Sequence, residues 1–438
     1  MAEVERGKVA ITDLPERLLI DHLDSRGRGI AHHGQLRVVC DGALPGEVIR
    51  ATRYERSRRH VIAQAYTIEQ AAEARVTPLC RYFGECGGCQ LQHARYDAQL
   101  AYKESHLKQN LAEYGDVSPL SWLPALPSSP FHYRRRVRLS ARMGDEGDVI
   151  LGFHRKLHSY LLDISACPVL EPRMHMLLEP LHAVLAQLSV RHRLPQIEMS
   201  CGDQEVAVVF RHLLPLSNND RSVLRHFAEL HDVLVFTQAA GPESLLPLIS
   251  EQMTSLQYSF PKYQTRLVFA PTDFIQANAQ VNQNLVAAMM QLLDVQEHDV
   301  ILDLFCGIGN FSLPLARYAR SVIGVEGHPA LVAQAQFNAE HNGLRNVQFR
   351  QADLNTWVPD VAHTKLLIDP PREGAIEIIK RLPGDSAETI VYVSCMPKTL
   401  ARDARYLVHQ RGYTLTKAGI VDMFPQTRHV ETIAVFQR

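Results

Sequence analysis

Polar side chains and glycines recur at the ends of apolar runs in the last third of the chain. Asp303–Asn310 reads DLFCGIGN after the run VIL, and its glycines at 307 and 309 allow a tight turn against which a ligand can lie. Glu326 ends the next apolar run, where a carboxylate can bind both hydroxyls of a ribose. Asp353 follows the third run, near where the edge of an adenine would lie. These positions indicate a site for an adenosyl-containing ligand.

Asp369 begins a DPP sequence after a fourth apolar run. A nicotinamide-binding domain is the alternative for a Gly-rich loop of this kind. Such a domain prefers G-x-G-x-x-G, whereas the third glycine position here is Ser312, and DPP is foreign to dehydrogenases. The order of the four positions therefore favours a methyl-donor site over a dinucleotide site.

Cys395 and Glu431 have the chemistry of a nucleophile and a base. Cys395 lies in VSCMPKT, just after the apolar run TIVYVS, and Glu431 lies in DMFPQTRHVE before the last apolar run. A thiolate can add to an electrophilic ring carbon, and a carboxylate can then remove the proton whose loss lets the thiol leave. Cys306 is the rival nucleophile, although its place inside the Gly-rich loop favours packing beside the donor. A small buried hydrophobic residue is the alternative role for any single cysteine.

A second group of cysteines lies in the loop PLCRYFGECGGCQLQH, residues 78–93. Cys80, Cys86 and Cys89 have the spacing C-x5-C-x2-C, and Cys167 in SACPVL is the candidate fourth ligand of a closed four-coordinate site. A zinc site with His93 as the fourth ligand is the alternative. Sulfur ligands suit both zinc and iron–sulfur clusters, so the spacing alone leaves the metal open.

The pattern of apolar runs predicts how these residues are positioned. From about residue 266 strands alternate with helices, which predicts a doubly wound parallel sheet whose carboxyl ends carry the donor site and Cys395. Residues 8–68 read as short strands joined by turns and predict a small β-barrel. Residues 69–265 mix helical and strand-like segments and predict an α+β central domain.

The C-terminal motifs together resemble the RNA uracil-5-methyltransferase family. The segments concerned are DLFCGIGNFSLPLA, DPPREG, VSC-x-P-x-TLARD and DMFP-x-T-x-H-x-E. The resemblance implies a Rossmann-like class I methyltransferase domain over residues 266–438. It also implies that Cys395 adds to carbon 6 of a uracil, that S-adenosylmethionine methylates carbon 5, and that Glu431 removes the carbon 5 proton. The implied donor contacts are Gln276, Phe305, Asn310, Glu326, Asp353 and Asp369.

Two positions depart from the family pattern. Met396 stands where the family usually has Asn after the nucleophile, and Arg428 stands where Gly or His is frequent. Neither change removes a group that the reaction requires. Met396 puts in doubt any hydrogen bond that the Asn side chain would make near the nucleophile.

The N-terminal region carries a further resemblance. Residues 24–49, DSRGRGIAHHGQLRVVCDGALPGEVI, resemble a TRAM domain, an OB-like RNA-binding barrel, which we expect over residues 8–68. This barrel, the cysteine loop and the methyltransferase domain together resemble the family members that modify 23S ribosomal RNA and carry a 4Fe–4S cluster. The resemblance thus implies 23S ribosomal RNA as partner and Cys80, Cys86, Cys89 and Cys167 as cluster ligands.

Composition sets the remaining expectations. The 438 residues are 46% hydrophobic and 21% charged, with a net charge of −1, as in a soluble globular protein. We see no export signal or membrane span, and predict a cytoplasmic protein without a membrane or obligate protein partner. Two local arginine groups permit a polyanionic partner: Arg53, Arg56, Arg58 and Arg59, and Arg134, Arg135, Arg136 and Arg138.

Three functional alternatives remain open. The modified uridine can lie elsewhere in ribosomal RNA or in transfer RNA. Cytosine-5 methylation would require a carboxylate at the ring edge and a different cysteine context. A non-catalytic iron–sulfur RNA-binding protein would be expected to lack the nucleophile or the base, and both are present in this sequence.

Overall fold

The computed structural model describes residues 14–56, 60–144, 146–156, 159–250, 255–384 and 386–438. The chain forms two compact units. The first runs to Tyr102 and includes Gln426–Arg428, and the second comprises Lys103–Pro425 and His429–Arg438. Arg58 and Arg59 of the first arginine group lie outside the described residues.

The first unit contains a six-stranded sheet in the order β1-β5-β6-β4-β3-β2. Neighbouring strands are antiparallel except β4 and β6, which are parallel. The apolar side chains of one face, among them Leu18, Val38 and Ile49, form its core. The short strands predicted in this region are present, and their identification as a TRAM barrel stays a prediction. The strands are β1 Arg17–Leu19, β2 His22–Leu23, β3 Gly29–His33, β4 Leu36–Cys40, β5 Val48–Arg56 and β6 Val61–Gln70.

Helix α1, Tyr96–Asn110, continues from the first unit into the second and ends in one π-helical turn, Leu111–Gly115. The second unit then forms a mixed seven-stranded sheet in the order β10-β9-β8-β11-β12-β13-β14. The elements of this part are β7 Ser121–Trp122, β8 Arg136–Met143, β9 Val149–His154, β10 Leu161–Asp163, α2 Pro172–His175, α3 Leu178–Gln187, β11 Gln196–Cys201, β12 Val206–Arg211, α4 Asn218–His231, β13 Leu234–Gln238 and β14 Leu245–Pro247.

The second arginine group is not a free basic patch. Arg135 is buried, with 4% of its surface exposed. Arg136 and Arg138 both donate to the carboxylate of Glu198 on the neighbouring strand β11. Glu198 therefore offsets one of these positive charges, while the Arg138 side chain stays 61% exposed, so the group still permits a polyanionic partner.

The rest of the second unit contains a hairpin and an eight-stranded sheet. The hairpin pairs β15 with β16, and the sheet has the order β19-β18-β17-β20-β21-β23-β22-β7. The elements are β15 Leu256–Phe260, β16 Thr265–Phe269, α5 Ala279–Leu293, β17 Val300–Leu304, α6 Ser312–Ala316, β18 Ser321–Glu326, α7 Pro329–His341, β19 Val347–Gln351, β20 Lys365–Ile368, α8 Ile376–Arg381, β21 Thr389–Ser394, α9 Pro397–Arg411, β22 Thr414–Val421 and β23 Glu431–Gln437.

The predicted doubly wound sheet is confirmed, with two refinements. Strands β17 to β21 are parallel, whereas β23 is antiparallel to both β21 and β22. The edge strand β7 pairs with β22 although it lies far upstream in sequence. The strand order reverses between β18 and β20 around β17, and a ligand of such a sheet binds at the carboxyl ends beside this switch point.

Local sequence signals account for the helices beside the site. The Asn278 side chain accepts a hydrogen bond from the main-chain N–H of Val281 and so caps α5. Helix α9 begins with Pro397 and is terminated by Gly412, whose φ is +72°. Apolar residues of α5 share one core with residues of β17, β21 and β23. Within the described part of the chain, no helix is both long and apolar enough to cross a membrane.

Candidate active site

The loop after β17 forms a cradle at the carboxyl edge of the sheet. Phe305, Gly307 and Gly309 have φ values of +64°, +54° and +93°, which turn the chain sharply. A Cβ placed on Gly307 would meet nothing within 4 Å, whereas one on Gly309 would lie 3.2 Å from the Leu313 side chain. The loop therefore leaves open space at Gly307, where a ligand can approach the main chain.

Two carboxylates stand at the ends of the neighbouring strands. Glu326 accepts the main-chain N–H groups of Gly307, at 3.2 Å, and His328, at 3.0 Å, and these two bonds hold its side chain beside the cradle. Asp353 accepts from the main chain and side chain of Asn355, and these hydrogen bonds lower its pKa. Both groups lie where the sequence predicts a ribose and an adenine.

Asp303, which is fully buried, and Asp369, which is half-buried, add two carboxyls to the cradle. Burial raises the pKa of each to about 7. Ser312 donates its hydroxyl to one Asp303 oxygen, and the other oxygen has no hydrogen-bond partner among the described residues. We did not single out Asp303 from the sequence, although an acid inside the apolar run VILDLF is the signal that marks it. An unpaired buried oxygen at this edge suits a cationic or hydrogen-bond-donating ligand.

A hydrogen-bond network fixes Asn310. Its side chain exchanges two hydrogen bonds with the amide of Asn282, at 2.9 and 3.0 Å, and its carbonyl oxygen also accepts the hydroxyl of Tyr258 at 2.8 Å. The guanidinium of Arg135 lies 4.4 Å from the Tyr258 ring and donates to the main-chain oxygen of Gln276. One network thus anchors two of the predicted donor contacts, Asn310 and Gln276.

Cys395 and Glu431 are brought together by strand register. Ser394 at the end of β21 pairs with Thr432 of β23, so Cys395 and Glu431 are the next residues on adjacent strands. The hydroxyl of Thr432 donates to the oxygen of Ser394 at 2.9 Å and fixes this register. The predicted nucleophile and base therefore share the carboxyl edge of the sheet with the donor cradle.

Burial and like charge hold both groups in their protonated forms. Burial, and then the charges of Glu431 and Asp369, raise the pKa of the Cys395 thiol to about 11, while the Arg372 guanidinium acts in the opposite direction. Burial and the charge of Asp369 raise the pKa of Glu431 well above its usual value. Positive charge delivered to this site would favour the ionised forms of both groups.

Cys306, the rival nucleophile, packs inside the fold. It is 4% exposed, and a Cβ on Gly324 of β18 would lie 2.9 Å from its sulfur. Burial, followed by the charges of Asp303 and Glu326, raises the pKa of its thiol well above the usual value. A close fit against Gly324 agrees with a packing role beside the cradle.

The two departures from the family pattern have local partners. The main-chain N–H of Met396 donates to the Ser394 hydroxyl at 3.1 Å, so the turn after Cys395 is held without an Asn side chain. The main-chain N–H of Arg428 donates to Gln90 at 3.3 Å, and its guanidinium contacts the oxygen of Ser25 at 3.4 Å.

The cysteine loop is built from turns. Phe83 donates its main-chain N–H to the oxygen of Cys80, and Gly88 donates to the Cys86 sulfur at 3.4 Å. Burial and the proximity of Cys80 raise the pKa of the Cys86 thiol. No three His, Cys, Asp or Glu side chains of the described residues are arranged as ligands around one metal ion.

Comparison with known proteins identifies the family. The family model described as tRNA (uracil-5-)-methyltransferase matches residues 95–356 and 350–438. Two relatives are named 23S rRNA (uracil(1939)-C(5))-methyltransferase RlmD. The one from Nitrosospira multiformis is 43% identical, covering 96% of this chain and 98% of its own, and the one from Aromatoleum aromaticum is 44% identical, covering 96% and 99%.

A solved structure has the same fold. The tRNA (uracil-54, C5)-methyltransferase of Pyrococcus abyssi, in complex with S-adenosyl-L-homocysteine, superposes with a TM-score of 0.76 at 25% identity, covering 96% of this chain and 99% of that one. The eight-stranded sheet is thus a class I methyltransferase sheet. With motifs, site geometry and full-length relatives in agreement, the chain belongs to the tRNA (uracil-5-)-methyltransferase family.

Proposed function

We propose that this protein methylates carbon 5 of a uridine in 23S ribosomal RNA with S-adenosylmethionine as methyl donor. The relatives' names point to uridine 1939 as the target. The observation that carries the proposal is the placement of Cys395 and Glu431 on adjacent strands at the edge that holds the donor cradle. This pairing places the nucleophile that starts the proposed reaction next to the base that completes it.

In the proposed reaction, the Cys395 thiolate forms a bond to carbon 6 of the uracil ring. The electron pair that this addition moves onto carbon 5 attacks the methyl group of the donor, whose carbon–sulfur bond breaks to give S-adenosylhomocysteine. Glu431 then removes the proton from carbon 5, and the bond from sulfur to carbon 6 breaks to release methylated RNA and the thiolate.

The carboxyl cluster, defined as Asp303, Asp369 and Glu431, complements this chemistry. The methyl donor carries a positive sulfonium, which buried carboxylates attract, while the product carries a neutral sulfur. The same positive charge lowers the cost of ionising Cys395 and Glu431. We propose that the donor lies on Gln276, Phe305, Asn310, Glu326, Asp353 and Asp369, with Asp303 as a further partner.

Methylation of a transfer RNA uridine is the second candidate. It is favoured by the description of the family model and by the substrate of the Pyrococcus abyssi enzyme. The two candidates can be distinguished by incubating the protein with labelled methyl donor and a mixture of 23S ribosomal RNA and total transfer RNA. We expect label in the 23S fraction, and label confined to transfer RNA would replace the first candidate by the second.

The two cysteines at the cradle provide the decisive test of the mechanism. We expect Cys395→Ala to lose at least about 10⁴-fold in methyl transfer while binding the donor normally, because the covalent step is lost and the cradle is intact. Cys306→Ala is the matched control and should retain activity. Turnover by the Cys395 variant together with inactivity of the Cys306 variant would exchange their roles.

We also propose that Cys80, Cys86, Cys89 and Cys167 hold a 4Fe–4S cluster in a cytoplasmic protein, where thiols stay reduced. Four soft sulfur donors suit such a group, and the hydrogen bond from Gly88 to the Cys86 sulfur is of the kind that stabilises a cluster thiolate. The cluster would be structural, since the reaction above transfers no single electrons. A TRAM barrel over residues 8–68 would contribute RNA binding.

Anaerobic purification tests the metal. We expect a brown protein that contains iron and sulfide, and Cys167→Ser should lose the cluster while keeping donor binding. A colourless, zinc-loaded and fully active protein would contradict the choice of metal. A cluster that survives the Cys167 substitution would point to His93 as the fourth ligand.

A further inference from the structure

A polar groove lies at the end of the eight-stranded sheet opposite to the donor cradle. Arg317 follows α6 and precedes β18, and His341 ends α7 before β19. Each helix returns the chain from the carboxyl end of one strand to the amino end of the next, so both residues lie at the amino ends. The groove has a volume of about 520 Å³, which falls in the range of nucleotide-sized sites. Its lining includes Gln264, Thr265, Arg266, Arg317, His341 and Asn342.

The frame of the groove is fixed by hydrogen bonds. Arg317 donates to the main-chain oxygens of Gln264, at 2.7 Å, and Asn342, at 3.0 Å. The Asn342 side chain exchanges two hydrogen bonds with the main chain of Arg266. The groove is therefore built by packing between the β15–β16 hairpin and α7, and it does not depend on a mobile loop.

The charge of the groove is positive. Within the described part of the chain, no carboxylate lines it, and the exposed Arg266 guanidinium contacts none. The nearest acid reached through a lining residue is Asp203, which accepts the Ser259 hydroxyl at 2.7 Å. The Thr265 hydroxyl is buried and has no partner among the described residues. These features suit an anionic ligand with hydrogen-bonding groups.

Two exposed aromatic rings lie next to residues that line the groove. Phe337 is 49% exposed and stacks on His341, with centroids 5.9 Å apart and planes 16° from parallel. Tyr318 is 46% exposed and contacts Tyr263. Single-stranded nucleic acid binds where cations contact its phosphates and aromatic rings stack on its bases. A free phosphate or an acidic protein surface has no bases to stack on the rings.

We infer that this groove is a second RNA-binding site, which holds the sugar–phosphate backbone of the substrate at a distance from the reacting uridine. The inference rests on the proposed function, because it assumes an RNA substrate. The strands between the two ends are five or six residues long, so the groove lies roughly 20 Å from the cradle. Only RNA that extends this far beyond the target can occupy both sites.

A length series of RNA fragments tests the inference with Arg266→Glu. Arg225→Glu on α4 is the matched control, since it makes the same change of charge at another exposed arginine. For long fragments we expect Arg266→Glu to weaken binding about three- to tenfold and to reduce the slope of log K against log salt concentration by about 1. Fragments that end within about 20 Å of the uridine should bind both variants and the unchanged protein equally.

Equal binding of long RNA by Arg266→Glu and the unchanged protein would overturn the inference. An equal loss in the Arg225 control would also overturn it, because the effect would then be one of net charge. Donor binding and turnover at saturating RNA should be unchanged in the Arg266 variant, and a loss of either would overturn the inference, because the effect would then not be confined to RNA affinity. Failure of the unchanged protein to methylate a uridine would refute the proposed function itself, a result distinct from these.

Discussion

The two ends of the eight-stranded sheet have opposite electrostatic character. The carboxyl end carries Asp303, Asp369 and Glu431, and desolvation at this site raises the pKa of each. The amino end carries Arg266 and Arg317 in an open groove. A buried acidic site suits a small cation that must be enclosed, and an exposed basic groove suits a long polyanion that must be released.

The contrast shows that charged groups have different effects when they are buried, as at the cradle, and when they are exposed, as at the groove. At the cradle, burial shifts proton equilibria, so the end of the sheet that does chemistry is also the end whose groups are hardest to ionise. At the groove, the charges stay in water and contribute affinity that salt can screen.

The largest expected effect is at the base. Glu431→Gln should abolish turnover and accumulate a covalent RNA adduct, because addition and methylation precede the removal of the carbon 5 proton. A slowly migrating protein–RNA band on a denaturing gel measures it. RNA affinity before reaction should be unchanged, in contrast to Arg266→Glu. Normal release of methylated RNA would assign the base to another group, such as His429 or a water molecule.

The second prediction concerns stability at the cradle end. Lys103 and Asp422 form an ion pair with no exposed surface, and Lys103 also donates to the oxygen of Phe424 at 2.9 Å. Lys103→Met should destabilise the protein by about 3–5 kcal/mol, because it removes the cation that forms an ion pair with a fully buried carboxylate. Arg266→Glu should change stability by less than about 0.5 kcal/mol. Denaturant unfolding measures the free energy of unfolding of both variants. Similar destabilisation by the two substitutions would contradict the proposed difference in burial between the two ends of the sheet.

The third prediction concerns pH. Since Asp303 and Asp369 have pKa values of about 7, against 3.8 for a free carboxyl, the folded state binds more protons than the unfolded state between these values. Stability without donor should therefore fall as pH rises from about 4 to 7. Affinity for S-adenosylmethionine relative to S-adenosylhomocysteine should rise from pH 6 to 8, because the sulfonium favours ionised carboxylates. Calorimetry in two buffers should detect the release of protons when S-adenosylmethionine binds. If the affinities for S-adenosylmethionine and S-adenosylhomocysteine depended equally on pH, the carboxyl cluster would not bind the sulfonium.

The smallest effect is expected at Tyr258. Tyr258→Phe removes one of the hydrogen bonds that fix Asn310 and keeps the ring under Arg135. The cost of one such bond is about 0.5–1.5 kcal/mol, so donor affinity should fall roughly two- to tenfold with little change in kcat at saturating donor. Unchanged donor affinity would mean that Asn310 is oriented by Asn282 alone.

Sequence patterns predicted that these side chains share one edge because parallel strands place their carboxyl ends together, while the roles of the side chains stay predictions. The runs that precede Glu326 and Asp369 could be read as strands, but the antiparallel register that joins Cys395 to Glu431 was not predicted. The ligand set of the cysteine loop remains a prediction, because loop geometry is not encoded by a periodic pattern.

Contacts between distant parts of the sequence could not be predicted. Lys103 and Asp422 are separated by 319 residues, and neither lies in a recognisable motif. The groove likewise combines a hairpin with the ends of two helices, so its arginines look like ordinary surface residues in the sequence. A local count of charges at Arg134–Arg138 likewise does not reveal that Arg135 is buried or that Arg136 and Arg138 share the carboxylate of Glu198.

The two residues of β7 determine where a fragment containing the methyltransferase sheet must begin if that sheet is to keep its edge strand. Ser121 and Trp122 pair with β22, and the main chain continues this contact as Leu123 and Leu126 donate to the oxygens of Ala418 and Ile420. A fragment that begins at residue 266 would leave this edge of β22 unpaired, and an unpaired edge is a template for intermolecular strand pairing. Such a fragment is expected to self-associate, whereas one that begins before α1 would keep its edge covered.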